Sequence, residues 1–157
     1  MYINDDKLDI LIGKLPTEKS KTFSPFDPKI IKFLDTISKT ILLDKKINKF
    51  PDLKQFGFWC RKSNLINLSK NYQFKKTIIA RGVALHIPPS NVPFNFAFSL
   101  AFGLLSGCTN IVRVPSRNFD QIVILLKILS KILNKDNFVL LKKNLCLLKY
   151  ERSDEIS

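Results

Sequence analysis

Side chains that could bind a phosphate or an oxyanion occur in two short polar turns. Asn91 follows the apolar run 83–87 and two prolines, and its amide could donate to an oxygen that carries developing negative charge. The same residue could instead cap the apolar helix that follows, and spacing alone favours the cap. Arg113 ends the next β-rich run and Arg117 follows one turn later, so two arginines beside a helix N-terminus could bind a phosphate. Two solvent-exposed arginines on a basic protein are equally compatible with that spacing.

Cysteine and histidine offer little further chemistry. The three cysteines, Cys60, Cys108 and Cys146, form no CxxC pair, and His86 is the only histidine, so the sequence predicts no metal site. No base accompanies Cys108, which is predicted to be a small structural residue, as are the other two cysteines. His86 is predicted to be a hydrogen-bonded core group. Unpaired cysteines are typical of a reducing compartment, and we expect a cytoplasmic location.

Several common catalytic and nucleotide-binding motifs are missing from the sequence. It contains no GxGxxG, no GxxxxGK[ST] and no GxSxG, so the usual dinucleotide fingerprint, a P-loop and a nucleophile elbow are all excluded. With one histidine and no paired carboxylates in the central apolar stretch, a self-contained acid–base hydrolase is also disfavoured.

The composition indicates one folded, basic domain without a membrane span. The chain has 157 residues, of which 45% are hydrophobic, and a formal net charge of +13. Such a charge is compatible with nucleic acid, an anionic membrane or phosphate-bearing ligands. The lysines are scattered, with no run of five, which favours solvent-exposed helix faces over a nucleic-acid site. The most apolar stretch, 92–105, is too short for a transmembrane helix and is predicted to be a buried helix.

A βαβ unit is predicted to position the two polar turns. A strand over 83–87, an apolar helix over 94–105 ended by Gly107, and a second strand over 110–114 follow one another. Parallel strands joined by a crossover helix place their carboxyl ends at one edge of the sheet, where ligands bind. We therefore expect both turns to open at the same edge.

Further elements are predicted before and after this unit. Asp27 and Pro28 are suited to the start of a helix that runs to about residue 44. The remaining predictions are a strand over 8–12, a helix over 51–70, a strand over 74–80, a helix from Arg117 to about 134, and a strand over 145–150. Together they predict an α/β protein, with N-terminal helices followed by part of a Rossmann-type parallel sheet.

The segment IPPSNVPFNFAFSLAFGLLSGCTNIVRVPS, which begins at Ile87, resembles the aldehyde dehydrogenase segment of type PWNFP … apALaaGN … vvKPS. It is still more similar to the LuxC-type acyl-CoA reductases, the fatty acid reductases of bacterial luminescence and their relatives. Residues 33–38, 50–62 and 148–152 resemble the same family. The resemblance implies an aldehyde-dehydrogenase-like sheet that is incomplete here. It also implies an N-terminal helical region at 1–73 and a partial nucleotide-binding domain at 74–157, without the catalytic domain.

The family reduces an activated fatty acyl group to an aldehyde with NADPH, through a thioester on a cysteine. By resemblance, Asn91 is the oxyanion-binding asparagine, a role that the resemblance favours over the helix cap. The backbone run that lies against the cofactor corresponds to Ile87, Pro88, Pro89 and Ser90.

The second turn is expected to bind the adenosine end of the cofactor. Arg113 stands near the family's basic residue that holds the adenosine ribose or its phosphate, and Ser116 belongs to the same turn. Arg117 falls where NAD-preferring relatives carry a ribose-binding Glu. A positive charge at that position suits a 2′-phosphate, so the resemblance implies NADP as the cofactor.

The match also departs from the family. None of the three cysteines fits the nucleophile motif, which lies later in the family's sequence together with the general base. Cys108 replaces the Asn that usually follows Gly107. We therefore expect the cofactor-side portion of a reductase, inactive alone, from a split gene, a truncated gene or a fragment. Its expected partners are a fatty acyl-CoA or another activated acyl donor, a C-terminal half, and acyl-transfer or synthetase subunits.

Two alternatives to an enzyme remain open at this stage. The first is a non-catalytic remnant or interaction module, in which the unfinished sheet leaves an exposed strand edge. The second is a nucleic-acid or membrane-surface binder, which depends on net charge alone.

Overall fold

A four-stranded sheet with helices packed against it forms the body of the described chain. The computed structural model describes residues 8–17, 22–72, 78–89, 91–117 and 119–150. Its elements in chain order are β1 (Asp9–Gly13), α1 (Pro28–Leu43), α2 (Pro51–Trp59), α3 (Lys62–Lys70), β2 (Val83–His86), α4 (Asn95–Leu105), β3 (Thr109–Arg113), α5 (Asp120–Leu133), α6 (Val139–Lys142) and β4 (Leu145–Lys149).

The sheet has the order β1-β4-β3-β2, and its last three strands are parallel. Val83 lies opposite Thr109, and Asn110 lies opposite Leu145. This arrangement confirms the predicted α/β class and the βαβ unit. The direction of β1 was not predicted, and this strand pairs antiparallel with β4. β2 therefore forms one edge of the described sheet and β1 the other.

The buried helix α4 begins and ends close to its predicted limits. Seven of its eleven residues are buried, as expected for a helix that is apolar on nearly all sides. Gly107 follows with a φ of 81°, and the N–H of Cys108 donates to the C=O of Gly103 at 3.2 Å. This is the left-handed helix ending that the sequence predicted for Gly107.

Helix α1 supplies the opposite wall of the core. Asp27 caps it by accepting a hydrogen bond from the N–H of Lys29 at 2.7 Å, and Pro28 is its first residue, as predicted. Its buried face is Ile30, Phe33, Leu34, Ile37, Ser38 and Ile41. Side chains from α1, α2, α4, α5 and β4 contribute to one continuous apolar cluster.

The single helix predicted over 51–70 is wrong, because the chain forms α2 and α3 with a break at Cys60 and Arg61. Arg61 has an extended ψ of 137°, which ends the helical path. The first turn of α3 is then capped from another helix, since the N–H of Lys62 donates to Asp35 Oδ1 at 3.0 Å. The break also allows Cys60 to be fully buried.

Other predictions have mixed outcomes. The strands at the N-terminus and over 145–150 are confirmed as β1 and β4, and the helix after Arg117 is confirmed as α5. Residues 78–80 are not in a strand, and the rest of the strand predicted over 74–80, residues 74–77, lies outside the described residues. Among the helices of the described ranges, none combines the length and apolar character that a membrane span requires.

Candidate functional site

The carboxyl ends of β2 and β3 lie side by side, as the sequence predicted. His86 pairs with Val112 at the end of the parallel ladder, so the chain leaves both strands at the same edge of the sheet. The turn that contains Asn91 follows β2, and the turn that leads to Arg117 follows β3. The two candidate turns therefore start from adjacent positions.

Arg113 has an unusual environment at the end of β3. Its guanidinium lies over the ring of Tyr150, 4.5 Å from the centroid, and Nη2 makes a long 3.5 Å contact with the Tyr150 carbonyl oxygen. Its Nε is buried and has no hydrogen-bond partner within the described part of the chain. Buried donors are nearly always paired, because an unpaired one costs about 1–3 kcal/mol. The Nε of Arg113 is thus a donor for which the described residues supply no acceptor.

Asn91 is exposed in the turn after β2, and it does not cap α4. The helix begins at Asn95, its N-cap is Phe94, and no side chain caps it. The cap that spacing favoured for Asn91 is therefore wrong, because Val92, Pro93 and Phe94 intervene as a further turn. With no hydrogen bond to another described residue, its amide is available as a donor.

The other predicted cofactor-binding residues flank these two. In the first turn Ile87 and Pro89 are exposed, Pro88 is half-buried, and Ser90 lies outside the described residues. In the second turn Ser116 and Arg117 are both exposed.

The helix that follows the second turn presents its N-terminus near Arg117. Helix α5 has Phe119 as its N-cap, and no side chain of a described residue caps it. Among the described residues its first backbone N–H groups therefore have no side-chain partner, and Asp120 in the first turn offsets part of the positive dipole. Gln121 fixes this end of α5 by donating to Asp52 Oδ2 of α2 at 3.1 Å.

A hydrogen-bonded network under the site holds β2, α4 and β3 together. His86 Nδ1 lies 2.6 Å from Ser99 Oγ, and Nε2 lies 2.9 Å from Asn110 Oδ1. Asn110 Nδ2 donates to the Cys108 carbonyl at 2.7 Å, which directs Oδ1 toward the imidazole. His86 Nε2 must then donate, and Nδ1 accepts from the serine hydroxyl. His86 is thus a satisfied group, as predicted, and it fixes the strand from which the Asn91 turn departs.

Gly103 makes this network possible, and the sequence reading did not identify its role. A Cβ at Gly103 would lie 1.9 Å from Asn110 Oδ1 and 2.7 Å from His86 Nε2. One signal in the sequence could have identified it. A glycine inside a helix destabilises that helix by about 1 kcal/mol relative to alanine, so a glycine within this apolar helix indicates a close contact that leaves no room for a Cβ.

None of the three thiols occupies the candidate site. Cys60 and Cys146 are buried, and burial raises the pKa of both thiols, that of Cys146 to about 11. Half-buried Cys108 directly precedes β3, at the end of the sheet opposite Asn91. No group of three His, Cys, Asp or Glu side chains that could hold a metal ion occurs within the described ranges.

An apolar groove of about 1130 Å³ lies beside the amino end of β2, away from the two turns. Its walls include Phe26, Leu68, Val83 and Phe102, and Arg81 is the only charged residue among the described residues that line it. This surface is therefore separate from the polar edge that contains Asn91 and Arg113.

A comparison with protein families identifies the segment that carries this edge. The family model for the acyl-CoA reductase LuxC matches residues 61–156, which is more than half of the chain. The match includes β2, α4, β3, α5 and β4, and with them Asn91 and Arg113. Neither the curated proteins nor the solved structures include a match to this chain. On the family match, the chain belongs to the LuxC family of acyl-CoA reductases.

Proposed function

We propose that this chain forms the cofactor side of an NADPH-dependent, cytoplasmic reductase that converts a long-chain fatty acyl thioester to an aldehyde. Membership of the acyl-CoA reductase family supports the reaction class. The observation that carries the proposal is the buried Nε of Arg113, which has no hydrogen-bond partner among the described residues and lies at the carboxyl ends of the parallel strands. Ligands of parallel α/β sheets bind at these ends.

Arg113 and Arg117 are the groups proposed to hold the adenosine end of NADPH. The face of the Arg113 guanidinium stacks on Tyr150, and its Nε–H has no acceptor among the described residues, so the side chain can bind an anion without losing that support. Arg117 and Ser116 are exposed and precede the N-terminus of α5, which no side chain of a described residue caps and which is a suitable place for a 2′-phosphate. Ile87, Pro88, Pro89 and Ser90 are proposed to form the surface on which the cofactor lies. When bound, NADPH supplies the hydride.

Asn91 is proposed to stabilise the acyl oxygen. As the carbonyl is attacked, negative charge develops on its oxygen, and a fixed amide donor can lower the barrier there. The loss of one such donor typically costs about 100–1000-fold in rate. The absence of a capping role for Asn91 leaves the amide free for this contact.

The thioester-forming cysteine is assigned to a segment outside these 157 residues. Cys60 and Cys146 are buried with raised pKa values, and Cys108 lies at the amino end of β3. A thiol that attacks a thioester must be reachable and must ionise, which neither buried cysteine satisfies. We therefore propose that residues 74–157 bind cofactor, that residues 1–73 support them, and that a C-terminal partner completes the enzyme.

A non-catalytic interaction module is the second candidate function. The observation in its favour is β2, which has no strand partner on its outer edge among the described residues and exposes apolar side chains there. Unprotected edges of this kind promote association with other chains.

The decisive experiment measures binding and turnover separately with the purified chain. NADPH fluorescence should report saturable binding, while a long-chain acyl-CoA should yield no aldehyde and no NADPH oxidation. An absence of NADPH binding at millimolar concentration would remove the cofactor role and leave the interaction module. Aldehyde formation by the chain alone would refute the assignment of the catalytic thiol to another segment.

A further inference from the structure

The short helix α6 holds two adjacent aliphatic side chains in solvent. Phe138 and Leu141 are buried on its inner side. Phe138 also packs edge-on against Phe33 of α1, with the two ring centroids 5.4 Å apart. Because these contacts fix α6 on the core, Val139 and Leu140 face outward, where they are 45% and 60% exposed.

Lysines flank this aliphatic pair on both sides along the chain. Exposed Lys131 lies in the last turn of α5, and exposed Lys135 follows two residues after that helix ends. Exposed Lys143 comes directly after the last residue of α6. The aliphatic pair therefore projects from a surface whose neighbouring positions carry positive charge.

Strand β1 brings a fourth lysine to the same place. Gly13 lies opposite Cys146 in the antiparallel pair of β1 and β4. The next residue, exposed Lys14, therefore leaves the sheet beside Leu145, where β4 begins two residues after Lys143. We call this region the basic aliphatic surface, and it consists of Lys14, Lys131, Lys135, Val139, Leu140 and Lys143.

Acidic side chains do not balance the charge of the basic aliphatic surface. From Gln121 to Lys149 the chain has six lysines and one acidic residue, Asp136. No ion pair between described residues includes a lysine of the surface. Like charges that lie near one another repel when nothing neutralises them, so an external anion would be stabilising here.

The basic aliphatic surface is separate from the proposed cofactor site. Helix α6 precedes β4, so the surface lies at the amino end of that strand. Arg113 lies at the opposite, carboxyl end of β3, which runs parallel to β4. An inference about the surface therefore does not depend on the proposed function.

We propose that the basic aliphatic surface binds the face of an anionic lipid bilayer. The lysines attract the negative headgroups, and Val139 and Leu140 enter the boundary between the headgroups and the acyl chains. The two components act together, because either one alone gives only weak binding. The contact is peripheral and reversible, and it needs no helix that spans the bilayer.

Two other anionic partners fit this surface less well. Proteins bind nucleic acids largely with arginines and with aromatic rings that stack on bases, and the surface contains neither. A stable protein interface covers about 800 Å² on each partner. The exposed apolar part of this surface is only two side chains on a four-residue helix. A bilayer sets no such minimum area, and it provides both negative charge and an apolar phase.

Vesicle co-sedimentation tests the proposal on the full chain. The probes are vesicles of phosphatidylcholine alone and vesicles in which about one-third of the lipid is phosphatidylglycerol. The chain should sediment with the anionic vesicles only, and the affinity should fall at least about 10-fold when salt rises from about 0.05 M to about 0.5 M. No binding to anionic vesicles at low salt overturns the proposal, and so does equal binding to the two kinds of vesicle.

Charge reversal tests the location of the contact. A double variant with Lys135→Glu and Lys143→Glu should bind the anionic vesicles at least about 25-fold more weakly, about fivefold for each lysine lost. The matched control combines Lys46→Glu with Lys49→Glu, which changes the net charge equally at two exposed positions between α1 and α2. Equal losses in the two double variants would show that binding depends on net charge alone, which contradicts the proposal.

Leucine variants test the insertion and separate lipid from nucleic acid. Leu140→Ser should weaken binding to the anionic vesicles about 3–10-fold, because part of the apolar burial is lost. Leu43→Ser is the matched control, since Leu43 is 82% exposed at the end of α1 and should have no effect. An unchanged affinity in a folded Leu140→Ser protein, or tighter binding to a DNA duplex than to the vesicles, overturns the proposal.

A fluorophore that senses polarity tests the insertion independently. In a Cys108→Ser background, Leu140→Cys labelled with such a dye should show a blue-shifted emission when anionic vesicles are added. The same dye on Leu43→Cys should show no shift. Equal shifts at both positions, or a shift at Leu43→Cys alone, would place the contact elsewhere on the chain and contradict the proposal.

Discussion

Arg113 stacks its guanidinium on Tyr150, 4.5 Å from the ring centroid, and leaves its buried Nε without a hydrogen-bond partner among the described residues. Tyr150 follows β4, 37 residues later in the chain, and its carbonyl makes a long contact with Nη2. The aromatic ring orients the arginine, while the carbonyl uses only part of its donor capacity. The pair therefore forms an oriented cation with a free donor at the carboxyl edge of the sheet.

Arg117 should set the preference between the two nicotinamide cofactors. Arg117→Glu replaces a cation with an anion where the proposal puts the 2′-phosphate, so NADPH affinity should fall at least about 10-fold while NADH affinity changes less. The measurement is the ratio of the two dissociation constants by fluorescence titration. Lys131→Glu makes the same charge change in the last turn of α5 and should leave the ratio unchanged. An equal loss for both cofactors would exclude a 2′-phosphate contact.

Gly103→Ala should destabilise the fold by breaking the network that joins β2, α4 and β3. The added Cβ would lie 1.9 Å from Asn110 Oδ1, so the amide must turn away from His86. We expect a loss of about 2–4 kcal/mol in the free energy of unfolding, measured with urea. Gly57→Ala is the comparison, because it is also a helical glycine but its Cβ would meet the Ile41 side chain at 2.7 Å, which can shift. Equal losses for the two variants would show that the polar network is unimportant.

Asp35 should make stability depend on acidity. Burial raises the pKa of its carboxyl, but the hydrogen bonds from Lys39 and from the N–H of Lys62, with the charges of both lysines, hold the pKa below its ordinary value of 3.8. A carboxyl with a depressed folded-state pKa stabilises the fold above its unfolded pKa, and that contribution is lost as pH falls through the folded pKa. Asp35→Asn should therefore cost about 1 kcal/mol at pH 7, and the cost should decrease as the pH falls below the ordinary pKa of the carboxyl. A cost that does not change in a urea titration series from pH 7 into the acid range would contradict this.

The cysteines should differ strongly in reactivity. Cys108 is half-buried and lines the groove, whereas Cys60 and Cys146 are buried and burial raises the pKa of both thiols. Iodoacetamide at pH 8 should therefore modify Cys108 first and the other two only after unfolding, as read by mass spectrometry. Rapid modification of Cys60 in the native protein would show that the contact between α2 and α3 opens.

Local signals in the sequence predicted much of the fold. Asp27 with Pro28 specified the start of α1, and Gly107 specified the end of α4, because each acts on backbone groups within a few residues. Apolar runs of strand length predicted β2, β3 and β4 within one or two residues at their ends. Their parallel arrangement followed from the intervening helices.

Features that depend on distant residues could not be predicted. The break between α2 and α3 is capped by Asp35, which is 27 residues away from Lys62. Asn91 is a residue type that often caps helices, and Pro93 follows it as a proline often follows a cap, but α4 begins further along the chain at Asn95. Arg113 stacks on Tyr150, and His86 contacts Asn110, only after the strands have aligned. The sequence therefore indicated roles for Arg113 and His86 but not the residues that they contact.

The central claim is that Arg113 binds the anionic end of NADPH, and fluorescence titration of Arg113→Leu tests it most directly. Arg61→Leu is the matched control, because Arg61 also stacks on an aromatic ring, that of Phe58, but lies between α2 and α3. We predict that NADPH affinity falls by about 10–100-fold in Arg113→Leu, the loss of one or two charge-assisted hydrogen bonds, and is unchanged in Arg61→Leu. Wild-type affinity in a folded Arg113→Leu protein would contradict the account.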